Sequence, residues 1–299
     1  MTSEKSQKTV SLVLGSGGAR GLAHIGVIDW LEKNDFKIES ISGCSIGALV
    51  GGIYAAGKLD DFESWVRQIT KIDVFKLLDL SWDKSGLVKG DKLFDTLRDL
   101  VGDVAIEDLP ISYTAVATDV SVEKEVWMNS GKLFDAIRAS ISLPLLFTPF
   151  RYEGVELIDG GVLNPVPIAP TFNDQTDLTV AVNLGGRVDK KSEPTASEDS
   201  SEQERSPLIE KVSSFVKGFK DSTVNNVGKD WGAYDIANQA FDTMQGAIAR
   251  QKLAAYPADY LIEIPRNACG IIDFDCAAEM IELGYKSAEE SLGKIIGEI

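Results

Sequence analysis

Two strand–loop–helix units stand in tandem near the start of this chain, and few architectures accept that arrangement. Val10 to Leu14 is a short apolar run, the pattern of a buried strand, and Gly15-Ser16-Gly17-Gly18-Ala19-Arg20-Gly21 follows it as a loop. Leu22, Ile25, Ile28 and Leu31 then recur three residues apart, the spacing of a helix with one buried face. Ile38 to Ile41 reads as a second strand, running through Gly43-Cys44-Ser45-Ile46-Gly47 into an apolar helix from Ala48 to Ala56. Strands that alternate with helices predict a parallel sheet with helices on its faces, because a parallel connection needs a crossover.

The alternation continues to the end. Further strands are expected at Tyr113–Thr118, Val155–Ile158, Thr179–Leu184 and Tyr260–Ile264, and helices at Lys92–Val101, Lys132–Ala139, Tyr234–Ala255 and Ala277–Leu292. The fold class is therefore α/β, a parallel sheet with helices on its faces. Residues 9–299 read as one domain after a disordered N-terminus at 1–8, and 299 residues bury a core without disulfide staples. Two segments interrupt the pattern. Asp60 to Leu80 is helical in spacing and carries Phe62, Trp65, Ile69, Val74 and Phe75. Asp189 to Ser206 has no aromatic and no aliphatic residue larger than alanine, so it is expected to be a disordered surface insert.

Charge and composition exclude several functions. Lys+Arg is 30 against Asp+Glu 46, a net charge of −16, which argues against nucleic acid as a partner. Three cysteines, Cys44, Cys269 and Cys276, make no disulfide framework, and no pair has metal-ligand spacing, so no metal and no cofactor is expected. The first eight residues lack an apolar signal region and no apolar run of 18 residues exists, which points to a cytoplasmic protein with peripheral membrane contact left open.

The chemistry begins at Gly43-Cys44-Ser45-Ile46-Gly47. This is G-x-S-x-G between a strand and a helix, where a tight turn presents a nucleophile and small neighbours let the backbone pack closely. Ser45 is the candidate nucleophile, flanked by Gly43 and Gly47; Cys44 is read as a packing residue, and Ser16 and Ser42 as structural. The glycine-rich loop fits neither G-x-G-x-x-G, which would need glycine at Arg20 or at Ser16, nor a P-loop. It does bring several backbone N–H groups to a helix start, where they can converge on an anion. Beside an acyl-attacking serine, that anion is a tetrahedral oxyanion. Arg20 either fixes the loop, adds positive potential, or is a solvated side chain.

A serine needs a base. The only histidine, His24, precedes Ser45 and falls inside the first predicted helix, where a packed role suits it better. The base is therefore expected to be a carboxylate. Asp119 and Asp159 each follow a predicted strand, and Asp159 is favoured because Gly160-Gly161 behind it permits a sharp turn and close backbone approach.

These residues together carry a resemblance. Gly17-Gly18-Ala19-Arg20-Gly21, Gly43-Cys44-Ser45-Ile46-Gly47 and Asp159-Gly160-Gly161 look like the three motifs of the patatin-like phospholipases. Ala139-Ser140-Ile141-Ser142-Leu143-Pro144, Gly86-Leu87-Val88-Lys89-Gly90 and Asn164-Pro165-Val166-Pro167 are also similar to that family. The likeness runs from about residue 10 to 185 and more loosely through Ala258–Ala288, and is strongest to the bacterial branch related to neuropathy target esterase. Many members have glycine where this chain has Ser16, which keeps the backbone N–H.

The resemblance implies a patatin-like, three-layer α/β/α fold with a mainly parallel central sheet, and a carboxylic ester hydrolase acting on phospholipid, lysophospholipid or another acyl-ester lipid. It implies a Ser–Asp dyad of Ser45 and Asp159, an oxyanion loop of Gly17, Gly18, Ala19 and Arg20, and no metal. A catalytically silent regulatory protein on the same fold and a lipid acyltransferase are the alternatives. For membrane contact, Val74-Phe75-Lys76-Leu77-Leu78 and the stripe Ile209, Val212, Phe215 and Phe219 are the candidates, unless both simply pack on the domain.

Overall fold

The computed structural model describes residues 7–77, 90–102, 104–144, 146–189 and 233–296. Its strands are β1 (Thr9–Leu14), β2 (Lys37–Cys44), β3 (Ser112–Asp119), β4 (Lys124–Met128), β5 (Phe150–Tyr152), β6 (Val155–Asp159), β7 (Leu178–Gly186) and β8 (Tyr260–Pro265). Its α-helices are α1 (Ala23–Lys33), α2 (Ile46–Ala55), α3 (Leu59–Val66), α4 (Lys71–Leu77), α5 (Asp91–Val101), α6 (Leu133–Ser140), α7 (Ala233–Ala255) and α8 (Ala277–Ile296).

One mixed sheet runs in the order β5-β6-β3-β2-β1-β7-β8, with β4 paired to β3 outside that path. The five strands from β3 to β8 are mutually parallel, as the tandem units require. The other three, β4, β5 and β6, are antiparallel and gather at one side. β4 and β5 were not expected: runs of five and three residues are too short to display an alternation.

Side chains of β1 show how the layers form. Leu12 and Leu14 point into the main core, which α1, α2, α6 and α8 cover, while Val13 points to the opposite face and meets Val166, Ile168 and Ala249 of α7. α8 returns to lie along α1, closing the larger layer. The Asp60–Leu80 segment is two helices, because Thr70 accepts the Asp73 backbone N–H and donates its hydroxyl to the Asp73 carboxylate, starting α4 afresh. Phe62 and Val66 of α3 and Phe94, Leu97 and Val101 of α5 are buried. Each such side chain contributes about 1.5–3 kcal/mol relative to exposure.

Of the surfaces considered for membrane contact, Val74 is buried and Leu77 half-buried, both on the wall of an apolar pocket. The Phe75 side chain, Leu78 and the Ile209–Phe219 stripe lie outside the described residues. So do residues 1–6 and the expected insert beyond Asp189. Lys8 already accepts the Lys37 N–H, and Asp189 and Asn267 exchange two hydrogen bonds. Among the described residues no helix is long and apolar enough to cross a membrane.

Candidate active site

Strand register brings two distant residues together. Cys44, the last residue of β2, is opposite Val116 of β3. Asp159, the last residue of the antiparallel β6, is opposite Ala117, the next residue along β3. β2 and β6 thus end head to head against the same strand. Ser45, one residue past Cys44, donates its hydroxyl to Asp159 Oδ2 at 2.5 Å across 114 residues of sequence.

Ser45 has φ 55° and ψ −123°, a region that costs a residue with a side chain about 1–3 kcal/mol. Its surroundings hold it there. The Ser45 N–H donates to Ser140 Oγ at 2.8 Å, and that hydroxyl donates to the Val116 carbonyl at 2.6 Å. The turn can be this tight because Gly47 has no side chain: a Cβ there would stand 2.1 Å from the Leu14 carbonyl oxygen. Gly43 lies against the Ala48 backbone in the same way. The turn caps α2, whose N-terminus adds positive partial charge beside the serine.

Asp159 is completely buried. Its Oδ1 accepts the Gly161 N–H at 2.7 Å, and its own N–H donates to the Ser142 carbonyl at 3.0 Å. Gly160 fits under β3 only without a side chain, since a Cβ would stand 2.1 Å from the Val116 carbonyl oxygen. Burial pushes the Asp159 carboxyl up to about 6, against the opposing pull of the Ser45 and Gly161 hydrogen bonds. The Cys44 sulfur lies 4.0 Å from Asp159 Oδ1. Burial first, and the Asp159 charge second, raise its thiol well above the ordinary range, so it is a neutral packing group there.

The glycine-rich loop is pinned at several points. Gly15 N–H donates to the Val182 carbonyl, Ser16 N–H to that of Pro165, and Ala19 N–H to that of Ile271. His24 meets the Gly15 carbonyl at 2.9 Å. Burial lowers its pKa to about 4, so the ring is neutral and, facing a carbonyl, carries its proton on Nε2. Arg20 is buried, not solvated, and donates to the Arg266 carbonyl at 2.7 Å, with Asp242 of α7 as the carboxylate that most favours its charge. Gly17 and Gly18, the latter at φ 60°, remain with backbone N–H groups that no described residue accepts.

Asp119, the other carboxylate considered, closes its own turn by accepting the Ser121 N–H and hydroxyl. The Ser121 hydroxyl holds it below the usual carboxylate range, and it makes no contact with Ser45. Sequence spacing assigned no role to Ser140 or Ser142, yet both hold the pair; nothing in a periodicity marks a residue that acts through one backbone bond.

A pocket with an almost entirely apolar lining adjoins the pair. Gly18 and Ile46, neighbours of the loop and of Ser45, stand on its wall together with Phe62 and Ile69, Leu97 and Ile271. Among the described residues no group of three or more His, Cys, Asp and Glu side chains is placed to hold a metal ion.

The chain matches the sequence pattern of the Patatin-like phospholipase family over residues 12–172, a span that includes the glycine-rich loop, Ser45 and Asp159. The chain belongs to the patatin-like phospholipase family. An uncharacterized NTE family protein of Mycobacterium tuberculosis is 38% identical to it over 96% of this chain and 92% of its own length. Lysophospholipase NTE1 of Coccidioides immitis is 28% identical over 97% of this chain, which spans 18% of that longer protein. VipD from Legionella pneumophila aligns over 95% of this chain and 66% of that one with 15% identity and a TM-score of 0.43, too slight a likeness to bear on function. Membership in the patatin-like family makes lipid hydrolysis the chemistry to set against this geometry.

Proposed function

We propose that this patatin-like protein is a serine lipid acyl hydrolase using Ser45 as nucleophile and Asp159 as general base. The observation that carries this is the 2.5 Å hydrogen bond from Ser45 to a buried carboxylate, beside an almost entirely apolar pocket. Ser45 Oγ bonds to the ester carbonyl carbon while its proton passes to Asp159. Collapse of the tetrahedral intermediate breaks the ester C–O bond, and Asp159 returns the proton to the leaving alcohol. Water, losing a proton to the same carboxylate, then releases the acyl group as a carboxylic acid and restores Ser45.

Three features support the rest. Burial that lifts Asp159 to about 6 makes it a better base than a solvated aspartate. The Gly17 and Gly18 N–H groups are the loop donors left for an oxyanion, Ala19 being committed to Ile271 and the Arg20 side chain to Arg266. Ala19 and Arg20 then anchor the loop. The apolar pocket suits the acyl chain of a phospholipid or lysophospholipid. The test is turnover of a lipid panel together with fluorophosphonate labelling: wild type hydrolyses acyl esters and is labelled at Ser45, and Ser45→Ala does neither. Undiminished turnover by folded Ser45→Ala would overturn the assignment.

A further inference from the structure

The C-terminal end of α6 holds both members of the pair by their backbones. Ser140, the last residue of the helix, takes the Ser45 N–H on its hydroxyl at 2.8 Å; Ser142, two residues on, takes the Asp159 N–H on its carbonyl at 3.0 Å. One short segment therefore bonds two residues that the chain keeps 114 positions apart. The Ser140 hydroxyl also donates to Val116, the β3 residue opposite Cys44, so its direction is set by the sheet. Ser140 is completely buried.

We propose that Ser140 is a positioning residue for the reaction: its hydroxyl locks Ser45 in the left-handed turn and thereby aims Ser45 Oγ at Asp159. This rests on the dyad proposed above. A serine at φ 55° tends to relax toward the common backbone regions. The bond from its own N–H to Ser140 Oγ restrains its backbone directly. Without Ser140 Oγ, both the Ser45 N–H and the Val116 carbonyl lose a buried partner, and the turn gains a reason to move. A shift of about 1 Å in a reacting group costs on the order of 100-fold in rate.

The experiment compares wild type with Ser140→Ala, Ser140→Cys and Ser140→Thr, using a soluble short-chain ester and carbon NMR titration of Asp159. Ser140→Ala should lower kcat about 10–100-fold with KM within about twofold. Asp159 should titrate at higher pH, because its carboxylate loses the Ser45 hydrogen bond. Ser140→Thr, which keeps the hydroxyl, should recover most of the rate. Ser140→Cys fills the space with a poor acceptor and serves in place of the alanine variant if that one does not fold. A folded alanine or cysteine variant with wild-type kcat and unmoved Asp159 titration would overturn the proposal. The NMR arm needs no turnover, and Ser45→Ala run alongside separates the two ideas. If Ser45→Ala is active the dyad fails, whereas if Ser45→Ala is dead and Ser140→Ala fully active, only the positioning role fails.

Discussion

His24 reaches back from α1 to the Gly15 carbonyl, 2.9 Å away, and so ties the first helix to the loop that precedes it. The ring is fully buried and its Nδ1 has no partner among the described residues. The only histidine of the chain is thus a strut of the glycine-rich loop. His24→Gln should leave kcat within a few-fold but cost about 1–2 kcal/mol of stability at pH 7.5, the worth of a buried hydrogen bond with imperfect replacement. The deficit should shrink as pH falls. A folded pKa of about 4 against 6.5 means that wild type loses stability between those values, as the unfolded chain takes up the proton first. Urea melts at pH 4.5 and 7.5 with initial rates check this, and a dead but stable variant would contradict it.

Asp159→Asn should separate activity from stability. Losing the base should lower kcat about 10²–10⁴-fold. The same change should stabilise the protein at neutral pH. The folded carboxyl is raised to about 6 from 3.8, so Asp159 favours folding below pH 3.8, and this contribution is lost as pH rises through 6. Two pKa units correspond to an upper limit of about 3 kcal/mol gained by the neutral amide above pH 7. The gain should be nearly absent at pH 4. Equal unfolding midpoints at pH 7.5 would show that the buried charge costs nothing.

The rate should report the same ionisation. In the free enzyme kcat/KM should fall below about pH 6, tenfold per unit, as Asp159 gains its proton. The acid limb is measured with a soluble ester whose own charge does not change in that range. A limb centred near 3.8 would mean that burial does not set the base.

The apolar pocket should select acyl chains. Ile69 is half-buried on its wall, away from Ser45 in the chain. Ile69→Trp should reduce kcat/KM for long-chain esters about 10-fold or more while leaving acetyl and butyryl esters near wild type, because only longer chains reach the added ring. A uniform loss across chain lengths would place the acyl group elsewhere.

Chelation should leave turnover intact. The groups assigned to bond breaking are a hydroxyl, a carboxylate and backbone N–H donors, none of which needs a Lewis acid. Loss of activity on exhaustive EDTA treatment, with recovery on adding back one metal, would contradict that assignment.

Local spacing was enough to place most elements. The tandem strand–loop–helix units, the later strands and the helices from Asp91 onward follow from apolar periodicity within short windows. The elbow at Ser45 and the turn at Asp159-Gly160-Gly161 are legible from their glycine spacing, and the close approaches of Gly47 and Gly160 leave no room for a side chain. Preference for Asp159 over Asp119 rests on Gly160-Gly161. Short antiparallel β4 and β5 did not show, and the sheet is mixed as a result.

Other relationships exist only once the chain has closed. That Ser45 meets Asp159 depends on β2 and β6 ending against adjoining residues of β3, a register no local pattern contains. Among the described residues, the loop N–H groups that stay free are those Val182, Pro165 and Ile271 do not take, and the Arg266 carbonyl, from the far end of the sequence, holds the Arg20 side chain. Ser140 gained its place at the Ser45 N–H because α6 ends beside Val116. Periodicity records which face of an element is buried; hydrogen bonds and pKa shifts depend on what is opposite that face, and only packing supplies it.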